Sequence, residues 1–276
     1  MGAGLARVLE AHDDYIESFV RGFERELRGL IASAQAHTVG ELQKRLSITT
    51  RGVIDKSPAN QRTLRKIDDL LADSMNRAGY RTLIEEFVNG FPGQLPFVDQ
   101  MLDAISENLN TPLQAALGKA DQAVLASQQI STLESLNTVV EGVAALAKRR
   151  ALMSVGALKF GDLVEQISTT FNRGVAEATT LAETSQVMFF RTATERAFRK
   201  IEDGLPEGAV RYRYEGPRDK LTRPFCLRML SRSASKPLTR DQIENLDNGQ
   251  LPNPFITGGG YNCRHQWVIT EIRDGK

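Results

Sequence analysis

V-R-Y-R-Y-E-G-P-R-D-K-L-T-R-P-F-C, from Val210 to Cys226, and G-G-G-Y-N-C-R-H-Q-W, from Gly258 to Trp267, are the stretches whose reading sets the fold class. Both cysteines, the only tryptophan and one of the three histidines lie in them. Val210, Tyr212 and Tyr214 alternate with Arg211, Arg213 and Glu215, the period of a strand with one buried face. Gly216-Pro217 ends that strand, because proline has no N–H to give a ladder. Thr239 and Gln242 form a capping box ahead of Ile243 and Leu246, and Asn248-Gly249 stops that short helix. After the three glycines a second strand is expected, with Tyr261, Cys263, His265 and Trp267 on one face, since residues two apart in a strand point the same way. A helix that starts at Thr222-Arg223-Pro224 and bears Phe225, Leu227 and Leu230 is the natural cover for that face. Together these elements predict a small α+β domain over 206–276.

Outward from there, the pattern is helical. Leu5 to Ala34 reads as one amphipathic helix, with Leu5, Val8, Ile16, Phe19, Phe23, Leu27 and Ile31 recurring at three and four. His12 falls on that stripe as a packed histidine, because no cysteine or carboxylate stands at metal spacing beside it. Thr38 and Glu41 predict a capping box for a second helix. Ser57-Pro58 predicts a third start, and a stripe from Leu64 to Met75 resumes after Gly79 with Leu83, Ile84 and Phe87. Asn89 to Pro96 is the clearest break, so residues 1–96 form an N-terminal helical region. A central long-helix region, 97–205, follows. It carries a helix over Phe97–Asn108, a restart at Thr111-Pro112, a thinly apolar helix over Gln114–Lys148 that includes Ile130, and a helix from Asp162 to about Ile201, expected to break or bend inside. The expected fold is mainly α: a long multi-helix N-terminal body with a small C-terminal α+β domain.

Composition bounds the function. There are 35 basic and 34 acidic residues, so the chain is not a wholesale nucleic-acid coat. Arg51, Lys56, Arg62, Arg65 and Lys66 interleave with Asp55, Asp68 and Asp69, which reads as a solvated helix face; Lys148-Arg149-Arg150 is a short basic cluster. Two cysteines are too few for a secreted disulfide framework. The start has neither a signal peptide's pattern nor, with Ala6 at position six, a myristoylation site. No apolar run approaches the roughly 20 residues of a membrane span. A chain that stays in a reducing cytosol, or in a particle assembled there, is expected.

The pattern Y-x-G-P-x-D-x-x-T-R-P-F-C followed by G-G-Y-N-C-R-H resembles the C-terminal domain of the phage Mu F-like minor head proteins, the head-morphogenesis family. The matching positions are Tyr214, Gly216, Pro217, Asp219, Thr222, Arg223, Pro224 and Cys226, then Gly259, Gly260, Tyr261, Asn262, Cys263, Arg264 and His265. The likeness covers the last quarter of the chain, with a weaker one, through Leu181-Ala182-Glu183-Thr184, back to about Asp162. It implies a minor capsid protein of a tailed phage, located in the virion head and assembled in the host cytoplasm. Such a protein associates with the portal protein and other head proteins and acts in genome packaging or delivery. Many members of the family carry a richer Cys/His cluster. Here Met229, Tyr261 and His265 stand at positions that hold a cysteine, a histidine and a cysteine there. Some relatives are fused to an effector, and no such segment is expected after Trp267.

Several chemistries compete at Cys226, Cys263 and His265. Zinc would take three N/S ligands, with Asp219 or a water as the fourth, although only Cys263-x-His265 is a close pair. A Cys226–Cys263 disulfide is disfavoured in a reducing compartment. Cys226 with His265 has the residue types of a thiol nucleophile and its base. The bland alternative is that the three pack and hydrogen-bond under Tyr261 and Trp267. No cofactor is required in that case. The triple glycine is no phosphate loop, because no Lys-Ser/Thr and no helix follow it. Asp219, Thr222 and Arg223 read as turn and cap chemistry; the alternative is that Asp219 pairs with Arg223 or Arg264 as a buried ion pair fixing the domain. Two other classes remain beside the head protein: a virion protein that binds the packaged DNA, and an enzyme or toxin-type effector using the Cys-His site. Salt-dependent DNA binding would separate the first.

Overall fold

The computed structural model describes residues 2–153 and 159–273. The helices are α1 (Ala3–Arg45), α2 (Pro58–Arg65), α3 (Ile67–Ala78), α4 (Tyr80–Asn89), α5 (Leu95–Leu109), α6 (Lys119–Met153) and α7 (Phe160–Glu202). Then come strand β1 (Val210–Glu215), helices α8 (Pro224–Ser235), α9 (Arg240–Glu244) and α10 (Pro254–Thr257), and strand β2 (Gln266–Ile272). The protein is mainly α with a small α+β region at its C-terminal end. Among the described residues ahead of Val210, β pairing is limited to isolated bridges, Ile48 with Ile54 and Val53 with Lys159.

The chain forms two compact units, each assembled from separate stretches. One is built from Val20–Asn89 and Ser131–Ala182. Its core joins Phe23, Leu27, Ile31 and Leu42 of α1 with Ile67, Leu71 and Met75 of α3, and with Tyr80, Ile84 and Phe87 of α4. Leu136 and Ala144 of α6 and Phe171, Val175 and Ala178 of α7 complete it. Phe23 and Phe87 meet with ring centroids 4.4 Å apart. The buried Tyr80 hydroxyl donates to Leu136 O at 2.7 Å, which removes the cost of leaving it unbonded.

The other unit takes the chain up to Phe19, Gly90–Ile130 and the chain from Glu183 onward. β1 and β2 form an antiparallel pair, with a register shift between Arg211 and Tyr212. A two-stranded ribbon is marginal alone and needs a helix against it. Here α8 packs on β1 and α5 on β2. Ser233 of α8 ties helix to strand by accepting the Tyr214 N–H at 2.9 Å. Tyr212 and Leu238 exchange backbone hydrogen bonds at 2.8 and 2.9 Å beyond the ribbon.

Several local expectations yield to packing. The capping box at Thr38 does not start a helix: α1 runs unbroken through it. Thr38 is fully buried and donates to Ser74 Oγ at 2.9 Å, while Glu41 pairs with Lys44 and Arg45. A hydroxyl with a partner on another helix has no need to cap its own. Helix does not resume at Thr111-Pro112 either. α5 ends at Asn110, which is left-handed (φ 49°), and the next helix begins at Lys119. The break expected over Asn89–Pro96 is present: α4 ends at Asn89, and a 3-10 turn, Phe91–Gln94, leads into α5. The helix expected from Asp162 begins at Phe160 and is continuous over 43 residues. Ile130 is 58 % exposed and carries no core face.

The expected capping box at Thr239 is present in both directions, Thr239 Oγ1 from the Gln242 N–H and Gln242 Oε1 from the Thr239 N–H. α9 has five residues and little propensity of its own. Thr239→Ala should therefore cost about 1 kcal/mol in a urea melt; an unchanged midpoint would mean that tertiary contacts alone hold α9.

Candidate functional site

Glu215 ends β1, and Gly216 follows with φ 151°. A Cβ there would stand 2.9 Å from His265 Cα and 2.6 Å from its Cδ2, so the strand exit and His265 can meet only at a glycine. The turn after it is built by short side chains. Asp219 Oδ1 accepts the Leu221 N–H at 2.8 Å, Thr222 Oγ1 accepts the Asp219 N–H at 2.9 Å, and the Thr222 hydroxyl donates to Pro217 O at 3.1 Å. Arg223 is the extended residue ahead of α8, with Pro224 at the first helical position. This start sets Cys226 in the first turn, pointing into the core at 2 % exposure.

The second half of the motif arrives as a loop rather than as strand. β2 begins at Gln266, so Tyr261, Cys263 and His265 precede it and do not share a strand face with Trp267. Asn262 is left-handed (φ 50°) and turns the chain, which breaks the two-residue alternation. Tyr261 is 48 % exposed and no part of the core. Thr184 of α7 holds this turn: its hydroxyl donates to Asn262 Oδ1 at 2.8 Å and its oxygen accepts the Asn262 N–H. Arg264 pairs with Asp219 at 2.7 Å, but each side chain is 38 % exposed. The pair is at the surface, which rules out the buried-pair reading, and contributes little to stability. Arg223 instead donates to Gly259 O at 3.1 Å.

Cys226, Cys263 and His265 do come together, all buried. Cys226 Sγ is 3.8 Å from Cys263 Sγ, and Cys263 Sγ is 3.8 Å from His265 Nδ1. The Tyr214 hydroxyl stands 3.3 Å from Cys263 Sγ and 3.8 Å from Cys226 Sγ. Trp267 closes the cluster, its ring 4.6 Å from that of Tyr214 and its Nε1 donating to Pro254 O at 3.1 Å.

Proton positions follow from the partners. His265 Nε2 lies 2.7 Å from Pro217 O. A carbonyl only accepts, so Nε2 carries the hydrogen, and in neutral imidazole Nδ1 turns its lone pair to the sulfurs. Cys263 receives the Gly259 N–H at 3.1 Å. Its thiol is pushed down by the hydrogen bond from Cys226, with the Arg191 charge and Tyr214 adding to it against burial. Cys226 is pushed up by that same bond and by burial. Cys263 is thus the sulfur that ionises first. Burial also raises the Tyr214 phenol well above its ordinary value, so it stays a donor.

Arg191 of α7 is the residue that sequence reasoning missed. It is 4 % exposed and donates to Ile256 O at 3.2 Å and to Cys263 O and His265 O at 2.5 Å each. The signal was available. Arg191 stands four residues after Val187, on the flank of the apolar stripe, where a charge needs a buried task. A shallow cleft opens beside it, with His12, Asp13, Gly216, Arg264 and His265 in its walls.

Comparison with models of protein families, with curated proteins and with solved structures returned no match.

Proposed function

We propose that this chain is a minor head protein of a tailed phage, joining the portal during head assembly and acting in genome packaging or delivery. The supporting observation is that the two halves of the head-morphogenesis-like motif, Tyr214–Cys226 and Gly259–His265, interlock. Gly216 meets His265, Arg223 holds Gly259, Asp219 holds Arg264, and Tyr214 reaches both cysteines. Residues that match a family pattern and also explain one another in space read as one inherited unit rather than as two chance strings. Burial of Cys226, Cys263 and His265 also suits a structural centre better than a nucleophile, which needs access to its substrate.

Portal contact is assigned mainly to the helical part, and the virion head is the proposed location. On co-expression, the chain should co-purify with portal in high salt and after nuclease treatment, since protein contacts outlast screening of phosphate contacts. Loss of the chain from portal under either condition would favour tethering through packaged DNA, and absence from purified virions would overturn the assignment.

A further inference from the structure

We infer that Cys226, Cys263 and His265 hold a tetrahedral zinc-class cation, with the Tyr214 hydroxyl oxygen at the fourth corner. The inference rests on the arrangement of these side chains alone and goes beyond the assembly reading. Sulfurs about 2.3 Å from a tetrahedral zinc stand about 3.8 Å apart, and Cys226 Sγ and Cys263 Sγ are 3.8 Å apart. A sulfur and an imidazole nitrogen on such an ion stand about 3.6 Å apart, and Cys263 Sγ is 3.8 Å from His265 Nδ1. All three donor atoms lie within 4.8 Å of one another. Tyr214 Oη, at 3.3 and 3.8 Å from the two sulfurs, occupies the remaining side. Two thiolates with one imidazole favour zinc over magnesium or calcium, which take oxygen ligands.

The surrounding groups are arranged as around a metal. A ligating histidine usually gives its other ring N–H to a carbonyl or carboxylate. His265 Nε2 gives its hydrogen to Pro217 O at 2.7 Å, which aims Nδ1 inward. The Gly259 N–H points at Cys263 Sγ from 3.1 Å, and a Cβ on Gly259 would collide with Cys226 Sγ. Arg223 fixes the Gly259 carbonyl, and Arg191 fixes the carbonyls of Cys263 and His265. Each first ligand on the loop is therefore held from behind by a residue that does not touch the cluster's centre. A disulfide would use two of these groups and leave the lone pair of Nδ1 without a task.

The test uses the full chain, expressed without a metal-binding tag and kept reduced. Elemental analysis should find about one zinc per chain. Titration of the metal-free chain with Co²⁺ should give tetrahedral visible bands and a sulfur-to-cobalt charge-transfer band. Cys226→Ser, Cys263→Ser and His265→Gln should each lose zinc. Tyr214→Phe should keep it with affinity about tenfold weaker and with altered visible bands. Should the cysteine variants fail to fold, the wild-type zinc content and its melting-temperature drop with chelator still decide the matter. Reduced, folded wild type that retains no zinc and shows no charge-transfer band would overturn the site. Unchanged affinity and bands in Tyr214→Phe would overturn the fourth ligand. Neither result depends on whether the chain binds portal.

Discussion

Arg240→Met should destabilise the C-terminal region by about 3 kcal/mol. The Arg240 side chain is about one-tenth exposed and pairs with Glu195 at 2.7 Å, Glu202 at 2.5 Å and, more loosely, Glu244 at 3.6 Å. Its guanidinium lies 4.4 Å from the centre of the Phe255 ring, and Glu202 also accepts the Tyr212 hydroxyl at 2.6 Å. One cation thus ties the end of α7 to β1, α9 and α10. Breaking a buried ion pair from one side costs about 3–5 kcal/mol, because the other charge stays buried. The low end applies here, since Arg199 still reaches Glu195. Urea melts check the value, and a loss below about 1 kcal/mol would refute it. Glu195→Gln should cost less on the Arg240→Met background than in the wild type.

His12→Gln should flatten the acid side of the stability profile. His12 is 4 % exposed, stacks 3.6 Å from Phe190 and bonds Gln94 Oε1 at 3.0 Å. Burial drives its pKa from 6.5 down to about 4, against the Gln94 bond and with help from the Arg191 charge. Between those values the unfolded chain binds a proton that the native state refuses. The stabilisation is complete above pH 6.5 and is lost as pH falls toward 4, about 3 kcal/mol in all. Nearby groups must be separated from it. Asp13 at the cleft mouth, held up to about 6 by the protein around it despite its exposure, contributes a slope of opposite sign. Arg191, Arg264 and His265 also face the cleft. The measurement is therefore the difference between wild type and His12→Gln from pH 7 to 4. A parallel pair of profiles would refute the assignment.

The same residues show which parts of the protein were legible one-dimensionally. Local signals survived folding where no distant partner competed with them. Ser57-Pro58 caps α2, Gly79 ends α3 in the left-handed region, and Thr239 with Gln242 caps α9. Each is satisfied within a few residues, and nothing distant competes. Thr38 carried as good a local signal and failed, because Ser74 of another helix offered its hydroxyl a partner. The second strand shows the same limit. Alternation over Tyr261, Cys263, His265 and Trp267 held only while the backbone was taken as extended, and left-handed Asn262 ends that assumption.

Sequence alone determined that this protein is mainly helical with a small α+β end, because apolar period and turn chemistry are properties of neighbouring residues. It also brought Cys226, Cys263 and His265 into one candidate cluster. Only the tertiary structure decided the rest. It left Tyr261 outside, put Tyr214 against both sulfurs, brought the Asp219–Arg264 pair to the surface and placed Arg191 beneath the loop. Those outcomes depend on contacts between residues far apart in the chain, such as Arg191 with Cys263 and Gly216 with His265. No local preference encodes them; the shared cost of burying polar groups, settled across the whole core, does.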